Sequence, residues 1–247
     1  MKTLLKLFLL LAAVVYWGYT FIHSPKVEND VVCSKVELSY ADSVTDGFID
    51  KAEVEKMLKK ANLHPVGKKL DSIKGKAIVA CLLKSKYIKT ASCYKTPQGV
   101  VNIEIAQRKP ILRVMPNDGE DYYIDAEGTQ LSTSDYLAYV VVASGYISKQ
   151  FSKEKLPDLA MFLEADTFWK SQISQIYVDK SGKVDLYGRV GEDQVIHFGS
   201  TDSIDKKFKH LRAFYDVLPE AGWNTYSDIT IAYDNQVVAT RRKAESK

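Results

Sequence analysis

The apolar residues from Leu4 to Ile22 form a 19-residue run broken by one charge, Lys6, and the rest of the chain contains no comparable run. A helix of that length rises roughly 28 Å, close to the hydrocarbon thickness of a bilayer. Lys6 sits one turn from the start, where a long side chain snorkels to the headgroups. Tyr16, Trp17, Tyr19 and Phe21 crowd the far end, as interfacial aromatics do. The exit, Tyr19-Thr20-Phe21-Ile22-His23-Ser24-Pro25, is bulky where a signal peptidase requires small residues, so an uncleaved transmembrane anchor is expected. Positive charge at the amino terminus, Lys2 and Lys6 places the short side in the cytoplasm and the bulk of the chain beyond the plasma membrane, with Lys26 past the exit opposing that orientation.

Beyond a connector over residues 23–30, the pattern changes to short periodic segments. Residues 36–40 alternate apolar and polar with the period of a strand. Asp46-Gly47 marks a turn, and Asp50 with Glu53 three residues on forms a capping-box variant. It opens a helix through about residue 61, with Val54, Met57, Leu58 and Ala61 on one stripe, and Pro65-Val66-Gly67 breaks it. A second helix is predicted over 72–85, with Ile73, Ala77, Ala80, Cys81 and Lys84 near one face. Alternating runs at 87–94 and 101–105 around Thr96-Pro97-Gln98-Gly99 predict a hairpin.

After Gln107-Arg108-Lys109-Pro110, strands dominate. Residues 122–125 and 130–131 flank a turn at Ala126-Glu127-Gly128, and 139–143 reads as a short buried strand. A helix is predicted over 153–164, then strands over 173–178, 184–187 and 195–198. A helix over 203–218 turns Ile204, Phe208, Leu211, Phe214 and Tyr215 inward. Strands over 229–233 and 236–239 close the chain around a two-residue Asp234-Asn235 turn. The fold class is therefore α+β: an N-terminal transmembrane helix, a β-α-α-β-β unit, then a mainly antiparallel β domain with two flanking helices.

Composition narrows the function without naming it. With 26% charged and 46% hydrophobic residues over its whole length, the chain has the composition of ordinary globular protein outside the apolar run. A formal charge of +3, with no dense basic block before Arg241-Arg242-Lys243, gives no argument for nucleic acid. That basic tail over 241–247 fits contact with anionic lipid or a solvated terminus. Cys33, Cys81 and Cys93 show no metal-ligand spacing; a Cys81–Cys93 disulfide and a set of core thiols both fit. His23, His64, His197 and His210 are dispersed and read as surface or packing residues, so neither metal nor cofactor is expected. Ser-x-x-Lys occurs at Ser152–Lys155 and Ser203–Lys206, a spacing that sets a lysine beside a nucleophilic serine. Both lack the companion S-D-N and K-T-G motifs, and both fall where serine is expected to cap a helix. Asp166, Asp179, Asp185 and Asp193 fall in turns or outward strand positions and read as solvated carboxylates. No enzyme is expected.

The order of these pieces resembles the bacterial cell-division protein family FtsQ (DivIB), in versions from the Bacteroidetes-like branch. The matching residues are Ile49-Asp50-Lys51 with Val54 and Leu58, Tyr87-Ile88-Lys89-Thr90-Ala91, Lys95-Thr96-Pro97-x-Gly99 and Asn102-Ile103-Glu104-Ile105. They continue through Gln107-Arg108-x-Pro110-Ile111, Tyr122-Tyr123-Ile124-Asp125-x-x-Gly128, Phe168-Trp169-x-x-Gln172-Ile173 and Gly222-Trp223-Asn224. The resemblance implies a three-residue cytoplasmic stub, the anchor at 4–22, a POTRA domain over 31–109 that docks other chains, and the FtsQ-like β domain over 110–240. It further implies recruitment of FtsB- and FtsL-like partners, with Tyr233, Asn235, Val237, Val238 and Ala239 on the partner-binding surface. The short stub departs from the family's usual longer cytoplasmic tail, so no contact through such a tail is expected.

Independently of that resemblance, a strand at the end of a sheet offers unpaired N–H and C=O groups to an incoming strand. Taken with the resemblance, which implies the division site, the expected role is a scaffold of the inner membrane, held there by lipid contact through Leu4 to Ile22. The alternatives are a POTRA-containing envelope assembly or secretion component, which should carry a β-barrel sequence not found here, and a membrane-bound serine hydrolase using Ser152 or Ser203.

Overall fold

The computed structural model describes residues 10, 12–19, 31–41, 48–133, 137–190, 194–233 and 236–243. Residues 12–19 are helical. Much of the apolar run lies outside the described residues, and among those described no helix is long and apolar enough to cross a membrane.

The first folded unit is a three-stranded sheet of β1 (Lys35–Tyr40), β2 (Ile88–Lys95) and β3 (Val100–Gln107), in the order β1-β3-β2. Because β1 and β3 run parallel, the chain must cross over between them. That crossover carries α1 (Lys51–Lys60), a 3-10 turn (Leu70–Ser72) and α2 (Gly75–Leu82), then β2, which pairs antiparallel with β3. Alternate residues Val101, Ile103 and Ile105 are fully buried and share a core with Val54 and Leu58 of α1 and Ile78 and Leu82 of α2.

Asp50 opens α1 as its position predicts, accepting the Glu53 N–H at 2.7 Å. Ala61 caps the helix exposed instead of joining the apolar stripe. The single helix expected over 72–85 is broken, because Ile73 is extended and α2 begins only at Gly75. Its buried face is Ile78 and Leu82, not the predicted Ala77–Cys81 line. Burying Ile and Leu removes far more apolar surface from water than burying alanines. All three cysteines are free thiols, so no Cys81–Cys93 bridge forms.

The second unit is a nine-stranded sheet. Its strands are β4 (Pro110–Pro116), β5 (Tyr122–Asp125), β6 (Gln130–Ser132), β7 (Val141–Gly145), β8 (Ile173–Val178), β9 (Val184–Gly188), β10 (Val195–Gly199), β11 (Tyr226–Thr230) and β12 (Val238–Arg241). They lie in the order β12-β11-β10-β9-β8-β7-β4-β5-β6. Five of the eight neighbouring pairs are antiparallel, while β4–β7, β7–β8 and β10–β11 are parallel. The described residues hold four helices in this unit rather than two: α3 (Lys149–Glu154), α4 (Leu156–Ala165), α5 (Thr167–Gln172) and α6 (Ile204–Ala221). The helix expected over 153–164 divides because Pro157 has no N–H to give and so sits in the first turn of α4. Asp166 is extended and caps α5, accepting from the N–H groups of Phe168 and Trp169 at 2.8 and 3.2 Å.

Other boundaries move as well. The strand β4, unannounced behind Pro110, buries Leu112 and Val114. Strand β7 starts two residues later than predicted, leaving Tyr139 100% exposed. Ile231 lies past the last described β11–β12 pair, and its N–H donates to the His197 carbonyl at 3.0 Å, continuing the parallel bonding of β11 to β10. Thr230 pairs with Val238 as the last pair of the described ladder, so β11 and β12 stop short of the residues expected to flank the turn. Asp234 and Asn235 lie outside the described residues.

One face of the large sheet, through Leu112, Ala143, Ile176, Leu186, Ile196 and Ile229, shares a single core with α4, α5 and α6. The intervening residues of the same strands, among them Gln175, Tyr177, Asp185, His197 and Thr230, form the other face and stay partly exposed. The two sheets meet at Arg108, between β3 and β4. Its guanidinium reaches Asp125 at 2.6 Å and Glu127 at 2.7 Å, and Lys89 of β2 reaches Glu127 at 2.9 Å. Phe48 stacks on Tyr87 and meets Tyr123 edge-on across the same junction.

Two stability outcomes follow. Gly145 has φ of +107°, and a Cβ there would stand 2.3 Å from the Val178 carbonyl oxygen across the β7–β8 pair. Gly145→Ala is therefore expected to cost about 3 kcal/mol or more in urea unfolding. The Asp125 carboxylate also accepts from the Glu127 and Thr129 N–H groups while holding Arg108 in a nearly closed site. Asp125→Ala should cost about 3 kcal/mol in the same measurement.

Candidate docking edge

The expected partner-binding residues fall at one end of the large sheet. Strand β12 is its terminal strand: β11 pairs with it on one side, and among the described residues no strand pairs with it on the other. Its register explains which side chains are free. Ala239 lies opposite fully buried Ile229 and shares its core-facing side, whereas Val238 lies opposite Thr230 on the open face and is 45% exposed. Val237, just before the strand, packs against the core. Tyr233 stands exposed in the connection, and Asn235 lies outside the described residues. The structure thus brings Val237, Val238 and Ala239 together on or beside one edge and sets Tyr233 apart from it along the chain.

Sequence reasoning stopped short of Thr240 and Arg241, which continue the strand opposite Asp228 and Tyr226. Continued alternation and the β-propensity of threonine were the available signals. Arg241 therefore belongs to the edge rather than to a basic tail. The Arg242 N–H donates to the Thr225 carbonyl at 2.9 Å and fastens the end of the strand.

Strand β11 is itself lightly attached. It pairs in parallel with β10 over three positions, Val195–Asp228, Ile196–Ile229 and His197–Thr230. Buried Ile229 and Ile231 and the bond from Gln194 Nε2 to the Tyr226 carbonyl at 3.2 Å reinforce that short ladder. On the open face, His197 is not the isolated residue its sequence position implies. Its Nδ1 lies 2.8 Å from Asp185 and its Nε2 3.2 Å from Asp228, joining β9, β10 and β11. The Ser227 hydroxyl donates to the other oxygen of Asp228 at 2.6 Å, and that bond, with the histidine, holds the Asp228 carboxyl below the usual carboxylate range.

The serines raised as nucleophile candidates have other surroundings. Ser152 is buried inside α3, accepting from the Tyr122 hydroxyl at 2.9 Å and donating to the Lys149 carbonyl. Ser148, not Ser152, caps that helix, because its extended backbone lets its hydroxyl accept the Phe151 N–H. Ser203 occupies the cap position of α6 but, held at φ 55°, makes no side-chain cap. Of the four aspartates, Asp166 caps α5, Asp179 orders a turn by accepting from Ser181 and Lys183, and Asp185 meets His197. Asp193 lies outside the described residues. Among the described residues no group of three or more His, Cys, Asp or Glu is placed to hold a metal ion.

A small α/β unit in which two helices cover a three-stranded sheet, followed by a mixed nine-stranded sheet with helices on one face, defines a two-domain α+β class. Comparison with known families makes this specific. Residues 109–240 match the family model described as FtsQ/DivIB, C-terminal related, and residues 31–106 match that of the POTRA-like domain. The chain belongs to the FtsQ/DivIB family and carries a POTRA domain. Families of this kind are membrane-anchored cell-division proteins, generally without enzymatic activity, that interact with other proteins of the division complex. No curated protein matches the chain.

The burial pattern separates the edge from its foundation. Val238→Glu should change unfolding free energy by no more than about 0.5 kcal/mol, since the side chain already faces water. Ile229→Ala should cost about 3 kcal/mol, because it empties a fully buried site beneath the same edge.

Proposed function

We propose that this chain is a non-catalytic scaffold of the division machinery that captures small single-span partners of the FtsB and FtsL kind by strand addition along β12. The observation that carries the reading is the outer side of β12, which no strand pairs among the described residues: a row of backbone donors and acceptors whose side chains, from Val238 to Arg241, are half-exposed or exposed. Main-chain hydrogen bonds would supply affinity there, and Val238 on the open face, with Tyr233 nearby in sequence, would supply specificity. Leu4 to Ile22 would anchor the chain in the inner membrane with its bulk outside the cytoplasm. Confinement to the membrane plane raises the effective concentration of the module toward co-anchored partners without any new contact. The POTRA domain, with its boundary to the β domain placed at 109/110, would serve as a second docking module.

The test is affinity capture of the tagged chain from detergent-solubilised native membranes, with bound proteins identified by mass spectrometry. Small single-span coiled-coil proteins are expected with the wild-type chain and should be lost with Val238→Glu. Undiminished capture by Val238→Glu would remove the edge-strand mechanism. Recovery of outer-membrane barrel components instead would keep the POTRA domain and overturn the division role.

A further inference from the structure

The open face of the large sheet carries a group that the docking reading does not use. His197 of β10 lies between two carboxylates on the flanking strands, with each ring nitrogen within hydrogen-bond distance of one of them. A carboxylate only accepts, so satisfying both contacts requires a proton on both nitrogens. A neutral imidazole has one N–H and must turn a lone pair toward the other carboxylate. The contact to lose is the one to Asp228. It is the longer, at 3.2 Å against 2.8 Å, and Asp228 keeps Ser227 as a partner.

Position makes this contact consequential. Asp228 lies in β11, beside the Thr230 that pairs with Val238 of the docking edge. The backbone ladder joining β11 to β10 spans three positions, so a side-chain bridge across that seam adds a small but local contribution to what buried Ile229 and Ile231 supply. We propose that His197 is a proton-operated latch: as an imidazolium it ties Asp185 of β9 to Asp228 of β11 and clamps the β11–β12 edge to the sheet, and on losing its proton to solvent it releases Asp228. The consequence for partner capture rests on β12 being the docking edge; the latch itself does not.

The surrounding charges favour the protonated form. Burial pulls the His197 imidazole down, but its hydrogen bonds to Asp185 and Asp228 outweigh that, and the group titrates above its ordinary value. From β9 the histidine faces Asp185, and from β11 it faces Asp228, which also feels Arg242 beyond β12. Tyr187 of β9 and Tyr177 of β8 border the Asp185 side, and Tyr187 is pushed up by burial and by Asp185. Thr230 and Val238 lie alongside uncharged. A histidine raised in the folded state contributes stability that is fully present below its unfolded value of about 6.5 and is lost as pH rises through its folded value.

Hydrogen–deuterium exchange on the full chain in mild detergent tests this without any partner. Between about pH 6 and about pH 9, after correction for intrinsic exchange, amides of β11 and β12 should lose roughly two- to fivefold in protection relative to those of β8 and β9, the scale of a part-exposed ion pair. His197→Gln and Asp228→Asn should each abolish the pH dependence while β8 and β9 report that the sheet is intact. A wild-type ratio that does not change with pH, or an unchanged slope in both variants, would overturn the latch. The ring nitrogen resonances of His197 provide a second reading: both nitrogens protonated at about pH 6.5 supports the latch, and a single tautomer there refutes it. If Val238→Glu captures partners normally while the exchange slope is present, the docking reading fails and the latch stands. A flat slope with capture lost in that variant is the reverse.

Discussion

An open sheet has two ends, and each end exposes backbone donors and acceptors that something must satisfy. That constraint organises this molecule. At one end of the nine-stranded sheet, β6 is only three residues long and lies beside the first domain, where the Tyr87 hydroxyl donates to the Ser132 carbonyl. Nearby, Lys89 and Arg108 hold Glu127 in the β5–β6 turn. That end is shortened and tied down by the domain that precedes it. The other end is β12, to which no such element is joined among the described residues. The surface available for pairing is set by which end the neighbouring domain occupies.

The one-sided distribution of helices has a second consequence. Trp169, Phe208 and Tyr215 cluster with ring centroids 4.9–5.4 Å apart beneath the sheet, and this aromatic core fixes α5 and α6 to the inner face. With burial concentrated there, the outer face is free to carry polar side chains in cross-strand contact, as at Asp185, His197 and Asp228. Such contacts contribute little individually, and they matter most where the backbone ladder is shortest. That place is the parallel β10–β11 seam.

Much of the fold was legible because it is written in local periodicity. The Asp50 cap, the hairpin around Pro97-Gln98-Gly99, the strands over 173–178 and 184–187 and the inward face of α6 follow from spacing alone. The errors share a cause in packing or in single-residue backbone limits. Strand β4 hid behind Pro110, α2 turned to bury Ile78 and Leu82, Pro157 split the helix expected over 153–164, and Asp166 opened a further helix beyond it. The edge character of β12 was readable from its place at the end of the strand series. Its outward residue was less so, because the register of the β11–β12 ladder passes through an irregularity between Tyr226 and Asp228 before it sets Val238 opposite Thr230. The His197 cluster was invisible to spacing, since Asp185 and Asp228 lie 12 and 31 residues away and only the strand order β9-β10-β11 assembles them.

The lightness of the terminal hairpin is consistent with a docking role rather than opposed to it. A strand added to β12 extends the same ladder that ties β12 to β11, so any partner that binds the ordered edge more tightly than the frayed one stabilises it by mass action. The reverse also holds: whatever loosens β11 from β10 reduces the population of the edge competent to pair, and apparent affinity falls by that fraction. Buried Ile229 and Ile231 set a floor beneath this equilibrium, keeping β11 in the core face while the outer face varies. If β12 is the docking edge, fixed apolar burial on one side and titratable contacts on the other would let a short strand be specific in register and still adjustable in occupancy.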